Sequence, residues 1–191
     1  GTAAALPITS ITLLNINDFH GRIEKDKTVQ LAGTIEKERD DAGEANTLLL
    51  SAGDNIGASL FESAYADDKP TIDVLNALDL SASAVGNHEF DKGFTDLYGR
   101  VADAADFPHL AANVYLKGTD TPMLSEYSLR TVGGVTVGII GAVTQETPAL
   151  VTPSGISNLT FGDPVAAVNR VAGQLSDGNA ANGEADIIVA E

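Results

Sequence analysis

Three times in the first half of the chain a short, almost wholly apolar run stops at a polar cluster, and a stretch of helical spacing follows. The runs are ITSITLLNIND (8–18), NTLLLSAGD (46–54) and ASAVGN (82–87). Apolar segments of this length, closed by polar or glycine turns, read as buried strands. LAGTIEKERDDAG (31–43) sets its apolar residues at helical spacing before Gly43, and PTIDVLNALDL (70–80) is an amphipathic helix opened by a proline. Strands alternating with helices leave few packings, and the favoured one is an α/β fold with a mostly parallel sheet.

The second half adds a helix over 94–105, a strand over HLAANVY (109–115) and two β-rich runs around Gly133-Gly134 (126–144), a hairpin signal. PVAAVNRVAGQLSDG (164–178) is a helix with a glycine stop, and ADIIVAE (185–191) is a last buried strand. SDGNAANGEAD (176–186) is loop-like in composition, and no internal repeat is visible. Aromatics make up only 5% of the 191 residues and tryptophan is absent, so the core is built from aliphatic side chains. The apolar runs are too short to span a membrane.

Eleven basic residues face 27 acidic ones, a net charge of −16 that repels nucleic-acid backbones. An anionic small-molecule substrate then requires a local reversal of field, which bound divalent cations supply. Cysteine is absent, which excludes disulfides and thiolate chemistry and leaves His, Asp, Glu and Asn as ligands. The opening GTAAALPITS has the small residues of a processed or trimmed terminus and hints at export.

The polar clusters are NDFHGR (17–22), AGDN (52–55) and GNHEFD (86–91). Loops at the carboxyl ends of strands in an open α/β sheet converge on one crevice. That brings together Asp18, His20, Asp54, Asn87, His88 and Asp91. Carboxylate and amide oxygens with imidazole nitrogens suit borderline divalent ions. Asp18 and His20 lie two apart, so on an extended segment they point the same way. Asp54 can bridge two ions and Asn87 adds a neutral oxygen; two ions about 3.5–4 Å apart clamp a phosphate for in-line attack. Alone, D-x-H or Gly-Asp reads as an ordinary strand-end turn. A structural histidine is seldom followed by Glu and Asp, so GNHEFD is the sharper signal, and the three together, in order and at similar gaps, carry the reading.

LLNINDFHGRI, LLLSAGDNIGAS and SAVGNHEFDKG resemble three successive blocks of the N-terminal catalytic domain of the 5′-nucleotidase family of calcineurin-like metallophosphoesterases. HLAANVY and VGIIGAVTQETP resemble two later, structural blocks. The family includes secreted 5′-nucleotidases, UDP-sugar hydrolases and 2′,3′-cyclic-nucleotide phosphodiesterases. The resemblance implies a sandwich of mostly parallel sheets flanked by helices. It implies that Asp18 and His20 bind one metal, that Asp54 bridges and that Asn87 binds the second. It implies His88 as the transition-state or leaving-group residue, oriented by Asp91. The implied cofactors are two divalent ions (Zn, Mn or similar), the implied reaction is attack of a metal-bound hydroxide on a nucleotide phosphate ester, and the implied location is secreted, periplasmic or at the cell wall.

The family's remaining histidine ligands and its separate C-terminal substrate-binding domain lie beyond the strand that ADIIVAE resembles. Residues 1–191 are therefore expected to be a partial N-terminal catalytic domain, holding at most one ion weakly and inactive alone. Glu89 reads as structural or as a surface charge, His109 as structural, Asn113 as backbone-bonding and Arg22 as a turn-surface residue. Gly57 and Ser59 read as parts of a tight loop. The rival readings are a non-catalytic extracellular binding module, which need not keep all six site residues, and a nuclease on long DNA, which the charge disfavours.

Overall fold

The three apolar runs become neighbouring strands. In the computed structural model, which describes residues 8–191, β1 (Thr12–Ile16), β2 (Thr47–Ser51), β3 (Leu80–Ala84) and β4 (His109–Leu110) form one sheet in the order β1-β2-β3-β4. Every pairing in it is parallel. The GTAAALP opening, read above as a processed terminus, lies outside the described residues. All five residues of β2 are buried, as expected of a strand flanked by partners and covered on both faces.

One face of this sheet is covered by α1 (Lys25–Ala42) and, beyond the single turn α2 (Phe61–Ala64), by α3 (Lys69–Ala77). Ile35, Leu75 and Leu78 pack there against Leu49 and Leu80. The opposite face meets a second sheet. Its strands β6 (Tyr127–Val132) and β7 (Val135–Ile140) form the expected hairpin, and β7 pairs in parallel with β9 (Ile187–Ala190); a small antiparallel pair, β5 (Val114–Leu116) with β8 (Leu159–Phe161), stands apart. Gly133 and Gly134 both have positive φ, 56° and 78°, as a two-residue hairpin turn requires. Leu48, Leu50, Ala82 and Leu110 of the first sheet pack on Val132, Val137 and Ile139 of the second. The helix Pro164–Gln174 closes the outer side, with Ala167 and Val171 against Ile140. The layers therefore run helix, sheet, sheet, helix, as the resemblance implied. Among the described residues, no helix is long and apolar enough to cross a membrane.

Four elements differ from expectation. The strand expected over 109–115 breaks into β4 and β5, which lie in different sheets. Helix α1 starts at Lys25 rather than 31. Its first turns carry no apolar stripe because they bury nothing; Thr28 Oγ1 and Lys27 instead bond back to Glu24. The helical run 94–104 contains a π-helical segment, Leu97–Val101. Strand β9 is only partly buried, with Ile187 39% exposed, because it forms an edge of its sheet among the described residues.

Candidate metal centre

The ladder between β1 and β2 continues past the strand ends. Ala52 N–H donates to Ile16 O (3.0 Å), Asp18 N–H to Gly53 O (3.1 Å), His20 N–H to Asp54 O (3.0 Å) and Gly21 N–H to Asn55 O (3.0 Å). The NDFHGR loop is thus laid along the AGDN loop. The extended segment expected for Asp18 and His20 is not what forms. Both are left-handed, at φ 51° and 46°, and Phe19 between them is buried. The turn still brings the side chains together, with His20 Nε2 3.6 Å from Asp18 Oδ1. Asp54 is left-handed as well, at φ 51°. Such backbones are costly outside glycine and persist where the surroundings over-determine them.

The third loop is joined to the second by two carboxylates. Asp54 Oδ1 accepts the His88 backbone N–H at 2.9 Å. Glu89 is 2% exposed, and its carboxylate accepts from the N–H groups of Gly86 (2.6 Å), Asp54 (2.9 Å) and Asn55 (2.9 Å). Burial pushes the Glu89 pKa up to about 7, with the Asp54 charge adding to burial and the three amides opposing it. Glu89 is therefore structural, and the surface-charge alternative falls. Glycines allow the close approach. A Cβ on Gly86 would lie 2.1 Å from Asp54 Oδ1, and one on Gly53 2.4 Å from the Gly86 nitrogen.

The imidazoles are held from behind. His20 Nδ1 lies 2.9 Å from Gly57 O. A carbonyl only accepts, so Nδ1 carries the proton and Nε2 keeps a free lone pair. Gly57, read from sequence as loop only, thus orients a candidate ligand. His88 Nδ1 lies 2.8 Å from Asp91 Oδ2. Burial lowers the His88 pKa, but the Asp91 hydrogen bond and the charges of Asp91, Asp54 and Glu89 outweigh it and raise it above the usual imidazole value. The two rings meet edge to face, centroids 4.9 Å apart. His20, Asp54 and His88 each offer a donor atom, all within 4.8 Å of one another.

Asp18 reaches this trio through His20, with its side chain 61% exposed. Asn87 is half-buried and leads the 3₁₀ turn His88–Phe90. A cavity of about 160 Å³ opens beside His88 and Asp91, walled by Gly57, Asp68, Lys92 and Arg100 among others. Outside the site, Arg22 is exposed. His109 starts β4, buried, and burial pushes its pKa down to about 4. Asn113 donates to the Val143 and Gly162 carbonyls and accepts from Val143 N–H. An imidazole whose Nδ1 faces a carbonyl, with Nε2 turned toward carboxylates, is a donor set that a borderline divalent ion fits.

No family model matches the chain. It is 34% identical over 192 residues to an endonuclease, YhcR, of Bacillus subtilis, covering 86% of this chain and 16% of that protein. It is 30% identical over 171 residues to a 5′-nucleotidase of Vibrio parahaemolyticus, covering 86% of this chain and 30% of that one. The solved calcineurin-like phosphoesterase YfkN of Bacillus subtilis superposes with a TM-score of 0.76 at 27% identity, over 96% of this chain and 62% of that one. The chain thus spans under a third of the two curated relatives named here.

Proposed function

Since this chain belongs to the 5′-nucleotidase family of calcineurin-like metallophosphoesterases, we propose that it carries one part of a metal-dependent site for hydrolysing phosphate esters of nucleotides. The observation that carries the reading is the convergence of His20, Asp54 and His88 donor atoms within 4.8 Å at the ends of three adjacent parallel strands. Asp18, His20, Asp54 and Asn87 are the residues that would hold divalent ions. When bound, such ions supply an activated nucleophile and neutralise the phosphate's charge.

The chain's own residues have distinct tasks. His88 is kept by Asp91 with Nδ1 protonated, so Nε2 is the atom that donates a proton or a hydrogen bond to a phosphoryl or leaving-group oxygen. Its raised pKa favours that donating form. Asp54 carries its carboxylate between the loops, steadied by the His88 amide. Glu89 fixes the distance between the two loops without meeting the substrate.

Because the chain matches under a third of each curated relative named above, the reading assigns turnover to a longer protein, in which further ligands and a nucleoside-binding domain complete the site, and places that protein outside the cytoplasm or at the cell wall. The 34% identity to a protein named an endonuclease keeps a nuclease as the second reading. The test is hydrolysis with Mn²⁺ or Zn²⁺ of AMP, read as phosphate release, of a UDP-sugar and a 2′,3′-cyclic nucleotide, read by chromatography of the products, and of plasmid DNA, read as strand scission on a gel, by the longer protein and by these 191 residues. Hydrolysis of AMP by the longer protein and none by the short chain is expected. Cleavage of plasmid DNA in preference to every mononucleotide would move the assignment to a nuclease, and no hydrolysis of any of them to a binding module.

A further inference from the structure

The loop that carries Asp54 is gripped from a second side by a residue that no motif singles out. Asp68 stands in the N-cap position of α3, yet its side chain makes no capping bond. It is left-handed, at φ 62°, and 7% exposed. Its carboxylate points to the metal-site loop instead. Oδ2 accepts the Gly57 N–H at 3.2 Å, and Oδ1 accepts the Ser63 hydroxyl at 2.7 Å. Ser63 Oγ in turn lies 2.6 Å from Thr71 Oγ1, and both side chains are fully buried. Buried polar groups arranged this way have one low-energy geometry.

Gly57 is where this buried chain of bonds reaches the site. Its N–H is held by Asp68, and its carbonyl takes the Nδ1 proton of His20. It has φ 77°, and a Cβ there would lie 2.6 Å from Asp91 Oδ2 and 2.9 Å from His88 Cβ. A glycine is required at that contact, and a glycine is also the residue freest to turn its carbonyl away. Something must hold it.

We propose that Asp68 is a positioning residue: acting through Gly57, it fixes the ring orientation and tautomer of His20, so that Nε2 presents its lone pair to a divalent ion. The inference rests on the metal-site reading above. An imidazole ligand must offer a bare nitrogen, and the hydrogen bond at its other nitrogen decides which one is bare. Without the carboxylate, Gly57 loses its anchor and the ring samples both tautomers.

Asp68→Gly is the deciding variant. Glycine adopts φ 62° without strain, so the carboxylate is removed without forcing the backbone from its place. The ¹⁵N–¹H long-range spectrum of the metal-free chain reports the His20 tautomer, and calorimetric titration with Mn²⁺ or Zn²⁺ reports affinity. The wild-type ring is expected as Nδ1–H. Asp68→Gly should give a tautomer mixture and raise the Kd about 10-fold, with Asp68→Asn, which keeps an acceptor oxygen, in between and the circular dichroism unchanged. A wild-type tautomer in Asp68→Gly overturns the proposal. If that variant does not fold, Ser63→Ala, which strips Asp68 of its second hydrogen bond, takes its place, and an unchanged ring there overturns it equally. If the wild-type chain binds no metal, the ion position assigned to Asp18, His20 and Asp54 does not hold an ion in these 191 residues alone, while the tautomer comparison still decides the role of Asp68.

Discussion

His88 and His109 are both half of a strand-end story and have opposite fates. His88 has a carboxylate at Nδ1 and two more nearby, so its charged form is favoured. In a longer protein that turns over nucleotides, His88→Ala should cut turnover about 10²–10³-fold, the usual cost of one preorganised charge-stabilising group, while calorimetry shows metal affinity little changed. Asp91→Ala should cost less, because it orients His88 and does not meet the substrate. Full activity in His88→Ala would remove the role given to it here. His109 is buried, and among the described residues its Nδ1 has no hydrogen-bond partner. Its pKa falls from an ordinary 6.5 to about 4 when folded. The unfolded chain therefore binds the extra proton first as pH drops, and the contribution of His109 is intact above about pH 6.5 and lost between there and about pH 4. Urea unfolding of wild type and His109→Phe across that window should show the wild type losing on the order of 3 kcal/mol relative to the variant, as an upper bound. A constant difference would mean that the ring is hydrated when folded. The contact between His88 and Asp91 was legible in the sequence, since GNHEFD sets the two three residues apart in one turn. Backbone shape was not. The left-handed turns at Asp18, His20 and Asp54 follow from contacts between loops about thirty residues apart.

At the scale of elements, the site depends on how closely two strand-end loops approach. Gly86→Ala would set a methyl group 2.1 Å from Asp54 Oδ1, so the carboxylate must leave its place or the loops must part. The variant should lose about 1–3 kcal/mol by overpacking, and the thermal stabilisation given by Mn²⁺ should vanish with it. Gly173→Ala is the control, since a Cβ there meets nothing within 4 Å and alanine is the better helix former; it should keep the full response. A Gly86→Ala chain that still responds to Mn²⁺ would show that Asp54 is dispensable. The strands were legible because burial writes itself into apolar runs, most plainly in β2, where every residue is covered. The first turns of α1 were not, because an exposed helix held by local bonds to Glu24 leaves no apolar period. Glu89 was half legible: its letters show a charge, and only the fold shows the four backbone amides around it, of Asp54, Asn55, Ile56 and Gly86.

The whole molecule carries a charge of −16 and gathers Asp18, Asp54, Glu89 and Asp91 at one end of its first sheet, so a bare site repels the anionic ester it is proposed to cleave. A cation at that end relieves the repulsion among the carboxylates and reverses the local field together. The assigned ligands are unequal. On the proposed assignment a first ion would be held by Asp18, His20 and Asp54, two carboxylates and an imidazole whose Nδ1 faces the Gly57 carbonyl. A second ion would have only Asp54, shared with the first, and a neutral amide, Asn87, too few donors to displace its water. Titration of these 191 residues with Mn²⁺ should therefore give a single weak site. Binding to the folded state alone stabilises by RT ln(1 + [L]/Kd), about 2.7 kcal/mol at a hundredfold excess over Kd, and for a chain of this size each kcal/mol moves the Tm by about 2–4 °C. A rise of several degrees in millimolar Mn²⁺, smaller in Asp18→Asn and absent in Asp54→Asn, is the expected result, with negligible release of phosphate from AMP throughout. Two tightly held ions per chain, or brisk hydrolysis by this chain alone, would show that the second position has donors beyond Asp54 and Asn87, with His88 the nearest further donor, and would break the ligand assignment.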